Sequence, residues 1–440
     1  MRVPRHWLTT GTLAVLAACA DQAPTAPIAR TEPTTALTEL ADPTLSVARL
    51  ERSFTVTRPA DGPWEQIIQG THGRGALYAV YVPRANARNR DVVFYAHGIR
   101  DVVEPISLRD QDSFYAIRDE LGRQGYTVAY SSYAENGFAV KDGALRTLEL
   151  WPIVSYHLRR PPRRSFLMGH SLGAGISLQL AEAFPKLYDG ALLLCGMVGG
   201  SRLQTQYIGN VRALFDLFYP AVDLPGDVVT RPSTALTPDQ VGAIVVPAIS
   251  ANPAGMLAIA STVEAPLPVV MSTTPGVTQG SLATSLVSAL TFHVRGIGNI
   301  LDITGERTPF DNTAGYSVGT PLFAQAPQMI AAANATISRY VMDPWVERYF
   351  ERHFEPTGRL RVPVLTVHNR WDPVVPLFHE DALRRAAQAA GATHNLRQQI
   401  IEFRGFRADR AHCDIRPGEA LAAFTELANW VPLNLDDDED

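Results

Sequence analysis

The sequence has few cysteines and few lysines, and it lacks the common motifs of metal and nucleotide sites. Its 440 residues include three cysteines, and Lys141 and Lys186 are the only lysines, so arginine carries nearly all the positive charge. No basic block occurs, and the net charge is −5, which argues against nucleic acid as a partner. No C-x-x-C, H-E-x-x-H or glycine-rich phosphate loop is present, so we expect neither a metal nor another cofactor.

The first residues have the pattern of a targeting segment. Arg2 and Arg5 precede an apolar run at 8–17 that is too short to span a bilayer, and Leu-Ala-Ala-Cys follows, ending at Cys19. This order resembles the lipobox of bacterial lipoproteins, in which the cysteine is lipidated and becomes the new N-terminus. A plain secretory signal cleaved near Ala18 or Ala20 is the alternative.

We therefore expect a signal peptide at 1–18 and a lipid anchor on Cys19 as the only contact with a membrane. The mature protein would then be periplasmic or at the cell surface. Residue 20 is alanine and not aspartate. By resemblance to the sorting of Gram-negative lipoproteins, alanine at this position favours the outer membrane over retention in the inner membrane.

Residues 19–48 are rich in alanine, threonine and proline, which predicts a flexible tether. Beyond them, two edge strands are followed by buried apolar strands that alternate with helical patterns. This alternation predicts an α/β fold, a mostly parallel sheet with helices on both faces. The predicted strands lie at 54–58, 76–82, 91–98, 126–130, 164–168, 188–196, 361–367 and 398–403.

The alternation is lost between residues 197 and 358. This segment has short helical patches and apolar runs among proline, threonine and serine clusters, and so long a structureless stretch is implausible inside a compact domain. We therefore expect an inserted cap or lid subdomain at 197–358. It would separate the two parts of an α/β core, 49–196 and 359–434, and a solvated acidic tail at 435–440 would follow.

A candidate nucleophile lies in Gly-His-Ser-Leu-Gly at 169–173, a match to the G-x-S-x-G elbow. In such an elbow the serine sits on a strained strand-to-helix turn, where close backbone neighbours require glycine two residues before and after it. Residues 164–168 are typical of a buried strand and 174–184 of a helix, so we interpret Ser171 as the nucleophile. A Gly-Ser turn between two core elements is the alternative.

A serine nucleophile needs a base and an acid that orients the base, and after an elbow of this kind the acid precedes the histidine. Asp372 follows the strand 361–367 in a loop with two prolines, and His412 lies ahead of the last predicted helix. We therefore predict Asp372 as the acid and His412 as the base. The alternatives are an Asx-type turn at Asp372 and, for the base, His379 or His394.

An oxyanion hole needs two backbone N–H groups aimed at one point. We expect one from Leu172, the residue after the nucleophile. The other should come from Ile99, which follows the His97-Gly98 pair at the end of a buried strand. We expect His97 itself to stabilise its loop and not to act as the base.

These residues resemble those of α/β-hydrolase-fold serine esterases, over roughly 50–200 and 355–430. The matching pieces are the His-Gly pair at 97–98, residues 129–137, the elbow, Asp-Pro-Val-Val-Pro at 372–376 and His-Cys at 412–413. One departure is Ile99, where many lipases and esterases have a Gly-Gly run.

The resemblance implies that Ser171 attacks the carbonyl of a small-molecule or oligomeric ester, that His412 transfers the proton and that Asp372 orients His412. Water then releases the acid from an acyl-enzyme. The same triad cleaves amides, so a serine peptidase or amidase is one alternative. A surface-binding lipoprotein without activity is another.

Cys195 and Cys413 remain as an even pair, which in an exported chain favours a disulfide. Cys413 directly follows the predicted base, and Cys195 ends a strand next to the nucleophile strand. We therefore predict a bridge that rigidifies the His412 loop, with two buried free cysteines as the alternative. Such a bridge also resembles feruloyl esterases and tannases, but there the partner cysteine precedes the serine, a position held here by His170.

Overall fold

The computed structural model describes residues 54–84, 89–234, 236–274, 276–406 and 412–432. The predicted signal peptide at 1–18, Cys19, the tether at 19–48 and the acidic tail at 435–440 lie outside these ranges. They therefore stay predictions.

One sheet runs through the described residues. Its nine strands are β1 (Phe54–Thr57), β2 (Trp64–His72), β3 (Ala76–Pro83), β4 (Val92–Ala96), β5 (Thr127–Ser131), β6 (Ser165–His170), β7 (Gly190–Leu194), β8 (Val364–Asn369) and β9 (Leu396–Ile401). They lie in the order β1-β2-β3-β5-β4-β6-β7-β8-β9. The pairs up to β3 and β5 are antiparallel, and all later pairs in that order are parallel.

The central strands β4 and β7 consist of apolar and small residues along their whole length, as expected where both faces of the sheet are covered. All residues of β4, β7 and β8 are buried. The α-helices of the described residues are α1 (Asp112–Arg123), α2 (Val140–Leu158), α3 (Leu172–Ala183), α4 (Ser201–Phe218), α5 (Pro238–Ala251), α6 (Pro253–Ala260), α7 (Val277–Thr304), α8 (Ala326–Thr336), α9 (Pro344–Phe354), α10 (Phe378–Ala389) and α11 (Pro417–Trp430). Helices α2, α3 and α10 pack on one face, and α1 and α11 pack on the other.

The segment between β7 and β8 is helical, from α4 to α9. Its side chains form a hydrophobic cluster of their own, which includes Phe215, Val241, Leu286 and Leu290. At its borders the segment joins the main core, since Met197, Val198 and Phe354 pack in the cluster of the sheet. We call residues 197–358 the cap, and its boundaries stay a prediction.

The chain has the α/β-hydrolase fold: a mostly parallel sheet covered on both faces, a serine on the turn between β6 and α3, and a helical insertion after β7. No single helix of the described residues has both the length and the apolar composition to cross a membrane. The pair α5 and α6, bent by 101°, passes that test only when its two helices are taken together.

Candidate active site

Ser171 occupies a strained turn between β6 and α3, with φ 55° and ψ −122°. The two flanking glycines are required by space. A Cβ on Gly169 would lie 2.2 Å from the carbonyl oxygen of Gly173, and a Cβ on Gly173 would lie 2.1 Å from that of Ala96. This is the close backbone approach that the motif predicts.

The structure brings the three predicted side chains into one hydrogen-bonded chain. Nε2 of His412 lies 2.9 Å from Oγ of Ser171, and Nδ1 of His412 lies 2.7 Å from Oδ2 of Asp372. The competing histidine His379 is instead buried against Gln204 and the N–H of Gly199. His394 lies in a short 3₁₀ turn at Thr393–Asn395, ahead of β9.

Asp372 is a buried carboxylate surrounded by hydrogen-bond donors. Its Oδ1 accepts from the N–H groups of Val374 and Val375, both at 3.0 Å, and its Oδ2 accepts from His412 and, at 3.4 Å, from the N–H of Cys413. Burial alone would raise the pKa of Asp372, but the charge and hydrogen bond of His412 outweigh it, and the pKa is lowered. An ionised Asp372 keeps the hydrogen of His412 on Nδ1, so that Nε2 is free to accept the proton of Ser171.

Cys195 and Cys413 are joined in a disulfide, with their Cα atoms 5.3 Å apart. Cys195 directly follows β7, the neighbour of the nucleophile strand, so the bridge ties the residue after His412 to the sheet. The two sulfurs and a ring nitrogen of His412 lie within 4.8 Å of one another, a spacing that suits a metal ion. Sulfurs in a disulfide are not thiolate ligands, so this group does not fit a metal.

The predicted oxyanion donors belong to α3 and to the loop after β4. Leu172 is the first residue of α3, where a helical N–H has no acceptor within its own helix. Ile99 follows Gly98, and a Cβ on Gly98 would lie 3.3 Å from Cβ of Ser171, so this loop passes close to the nucleophile. The role of both N–H groups stays a prediction.

His97 serves its own loop. Its Nδ1–H donates to the carbonyl of Gly98 at 2.7 Å, and its ring stacks on Tyr133 with the centroids 3.8 Å apart. Burial, with a smaller contribution from Arg100, lowers the pKa of His97 to about 3, so the ring is neutral. In the same loop, Asp101 accepts from the N–H of Val103 and pairs with Arg295 of α7.

A cavity of about 970 Å³ opens between this loop and the cap. The core side contributes Gly98 and Ile99, which follow His97, and His170, which precedes Ser171, and α7 of the cap contributes Val287 and Phe292. A cavity of this size suits a small organic ligand, and its lining mixes apolar side chains with charged ones, among them Arg100, Asp110 and Arg295.

The sequence analysis missed three cap residues that contact the loop of Asp372: Gln204, Tyr207 and Ser285. They hydrogen-bond to Val374, Pro373 and Trp371, which lie 170, 166 and 86 residues further along the chain. No local pattern marks such partners. Only the folded chain reveals them.

No protein-family model matches this sequence, and no curated protein matches it. Among solved structures, the ligand-bound rice cell wall degrading esterase LipA from Xanthomonas oryzae is similar at a TM-score of 0.45 and 14% identity, over 86% of this chain and 98% of that chain. A membrane phospholipase A, described as a bacterial virulence factor, has a TM-score of 0.38 and 14% identity, over 91% of this chain and 92% of that chain.

An acylaminoacyl peptidase from Pyrococcus horikoshii has a TM-score of 0.40 and 10% identity, over 88% of this chain and 43% of that chain. These similarities are low. The fold assignment therefore rests on the topology of this chain, and none of these activities is transferred to it.

Gly173→Ala should destabilise the protein by about 3 kcal/mol or more, because the added Cβ would collide with the backbone of Ala96, which cannot rotate away. Gly418→Ala is the matched control. Gly418 is also the second residue of a helix, α11, and nothing lies within 4 Å of its Cβ position. Its stability should stay within about 1 kcal/mol of wild type. Chemical denaturation measures both, and equal stabilities would contradict the proposed close approach.

The double variant Cys195→Ala/Cys413→Ala should lose about 2–5 kcal/mol of stability, because the bridge joins residues 218 positions apart and so restricts the unfolded chain. Unfolding curves with and without dithiothreitol supply the control. The reductant should lower the stability of wild type and leave the variant unchanged. Two free thiols in unreduced, denatured wild type would show that the bridge does not form.

Proposed function

We propose that this protein is a serine hydrolase of carboxylic esters. The observation that carries the proposal is the continuous hydrogen-bonded chain from Ser171 through His412 to the ionised Asp372. A hydroxyl, an imidazole and a carboxylate in this order are the parts that activate a serine for acyl transfer.

In the first half of the proposed reaction, Nε2 of His412 takes the proton of Ser171 as Oγ bonds to the ester carbonyl carbon. The N–H groups of Leu172 and Ile99 are the proposed donors to the oxyanion of the tetrahedral intermediate. The ester C–O bond then breaks, and the alcohol leaves with the proton held by His412. Asp372 stays ionised and stabilises the imidazolium while it exists.

In the second half, His412 takes a proton from water, whose oxygen bonds to the acyl carbon. The bond from that carbon to Oγ of Ser171 breaks, Oγ regains the proton from His412, and the carboxylic acid leaves. The cavity beside Gly98 and His170 supports a small acyl or alcohol group at this place, since its volume suits a small ligand and α7 contributes Val287 and Phe292 to its wall.

Ser171→Ala should lower the turnover of short p-nitrophenyl esters by about a thousandfold or more, because the nucleophile is removed. Ser177→Ala is the matched control, a buried serine of the same helix α3 outside the hydrogen-bonded chain. It should keep activity near that of wild type. A fluorophosphonate probe should label wild type and Ser177→Ala at Ser171 and should not label Ser171→Ala.

Two outcomes would replace the proposal. Turnover of aminoacyl or prolyl amides without turnover of esters would indicate a peptidase or amidase. Failure of the probe to label Ser171 in folded wild type would indicate a binding lipoprotein without activity.

We also propose that the mature protein is exported and anchored through a lipid on Cys19. Leu-Ala-Ala-Cys after a short apolar run supports this proposal. The disulfide supports export, because such bridges persist in oxidising compartments and are rare in the cytosol.

Cys19→Ala should abolish incorporation of labelled palmitate and release the protein from the membrane fraction of a Gram-negative host. Ala20→Asp is the matched control. It keeps the cysteine and should keep the label, while the protein moves from the outer to the inner membrane. Palmitate labelling of Cys19→Ala equal to that of wild type would contradict the anchor.

A further inference from the structure

Two cap residues contact the loop that carries Asp372 from the side opposite the carboxylate. The hydroxyl of Tyr207 donates to the carbonyl of Pro373 at 3.3 Å, and Nε2 of Gln204 donates to the carbonyl of Val374 at 2.8 Å. Both donors lie on α4, the first helix of the cap, and both are almost fully buried, at 2% and 1% exposure.

The two carbonyls belong to the peptide units that hold the acid. The unit joining Pro373 to Val374 has its oxygen on Tyr207 and its N–H on Oδ1 of Asp372. The unit joining Val374 to Val375 has its oxygen on Gln204 and its N–H on the same Oδ1. A peptide unit is planar and trans, so fixing the oxygen at one side fixes the direction of the N–H at the other.

The donors are themselves held in one orientation. His379 contacts Gln204, with Nε2 2.9 Å from Oε1, and its Nδ1 accepts from the N–H of Gly199 at 3.0 Å. Burial lowers the pKa of His379 to about 3, so the neutral ring has one hydrogen, which lies on Nε2 and turns the amide nitrogen of Gln204 towards Val374. Burial, and then the charge of Asp372, raise the pKa of Tyr207, so its hydroxyl keeps its proton and donates.

A third contact from the cap reaches the other side of the acid. Nε1 of Trp371 donates to Oγ of Ser285 on α7 at 3.2 Å, and that hydroxyl donates to the carbonyl of Pro268. The residues before and after Asp372 are therefore both attached to cap helices.

We propose that Gln204 and Tyr207 are positioning residues of the triad, which aim two backbone N–H groups at Asp372 and so orient His412. This inference rests on the proposed ester hydrolysis for its kinetic test, though not for its spectroscopic one. It gives the cap a second role beside forming the wall of the cavity.

Tyr207→Phe removes one donor and leaves the ring in place. We expect kcat for p-nitrophenyl acetate to fall about three- to tenfold, the usual effect of one hydrogen bond, with KM nearly unchanged because the cavity is not altered. Gln204→Met removes the shorter bond and should lower kcat at least as much.

Tyr219→Phe is the matched control. The hydroxyl of Tyr219 also donates to a backbone carbonyl, that of Asn252 at 2.7 Å, but inside the cap, and Tyr219 is 5% exposed. Its kcat should stay within about twofold of wild type, with a stability loss like that of Tyr207→Phe. Equal kcat losses in the two tyrosine variants would overturn the inference.

The proton between Nδ1 of His412 and Asp372 provides a readout without substrate. Its downfield ¹H NMR resonance should shift or broaden in Tyr207→Phe and Gln204→Met and stay in place in Tyr219→Phe. A resonance unchanged in the first two variants would overturn the inference. Should wild type hydrolyse no ester, the proposed function fails, and this resonance still decides whether the cap positions Asp372.

Discussion

The site depends on a backbone conformation at Ser171 that residues other than glycine rarely adopt. With φ 55° and ψ −122°, this conformation is strained, and it persists only because neighbouring groups hold the backbone in place. The N–H of Ser171 donates to the carbonyl of Leu194 at 2.9 Å, and its carbonyl accepts from the N–H of Met197 at 3.2 Å. Gly169 and Gly173 allow β4 and α3 to close on the turn. Ser171, β7 and the loop after β7 are therefore joined in one hydrogen-bonded unit.

This unit extends across the edge of the sheet to the other two side chains. The N–H of Cys195 donates to the carbonyl of Val367 in β8, the strand that leads to Asp372, and its sulfur is bonded to Cys413 beside His412. Because parallel strands end at the same edge, residues far apart in the chain meet there without long loops. The sheet thus supplies the approximate geometry of the three side chains, and hydrogen bonds to Asp372 complete it.

The sequence predicts those parts of the molecule that have a local pattern. The glycine-flanked serine and the buried strands of the core each have such a pattern, and the structure brings Ser171, Asp372 and His412 into one hydrogen-bonded chain. Strand β2 was not predicted, since Trp64–His72 does not alternate. Helix α7 spans Val277–Thr304, but in the sequence its apolar residues are interrupted by glycine, serine and threonine, so its full length is not apparent. The contacts from α4 to Pro373 and Val374 join segments that are far apart in the sequence, so no local pattern predicts them.

Those contacts change what the cap can do. A cap that only covered the cavity could be replaced or opened without consequence for Asp372. Here α7 lines the cavity through Val287, and its residue Ser285 accepts a hydrogen bond from the indole N–H of Trp371. Helix α4 donates hydrogen bonds to the carbonyls of the two peptide units that follow Asp372. A movement of either helix would leave buried carbonyls or an indole N–H without partners, which costs more than a lost surface contact. Variation in this cap is therefore constrained on the side facing Asp372 and freer on the wall of the cavity.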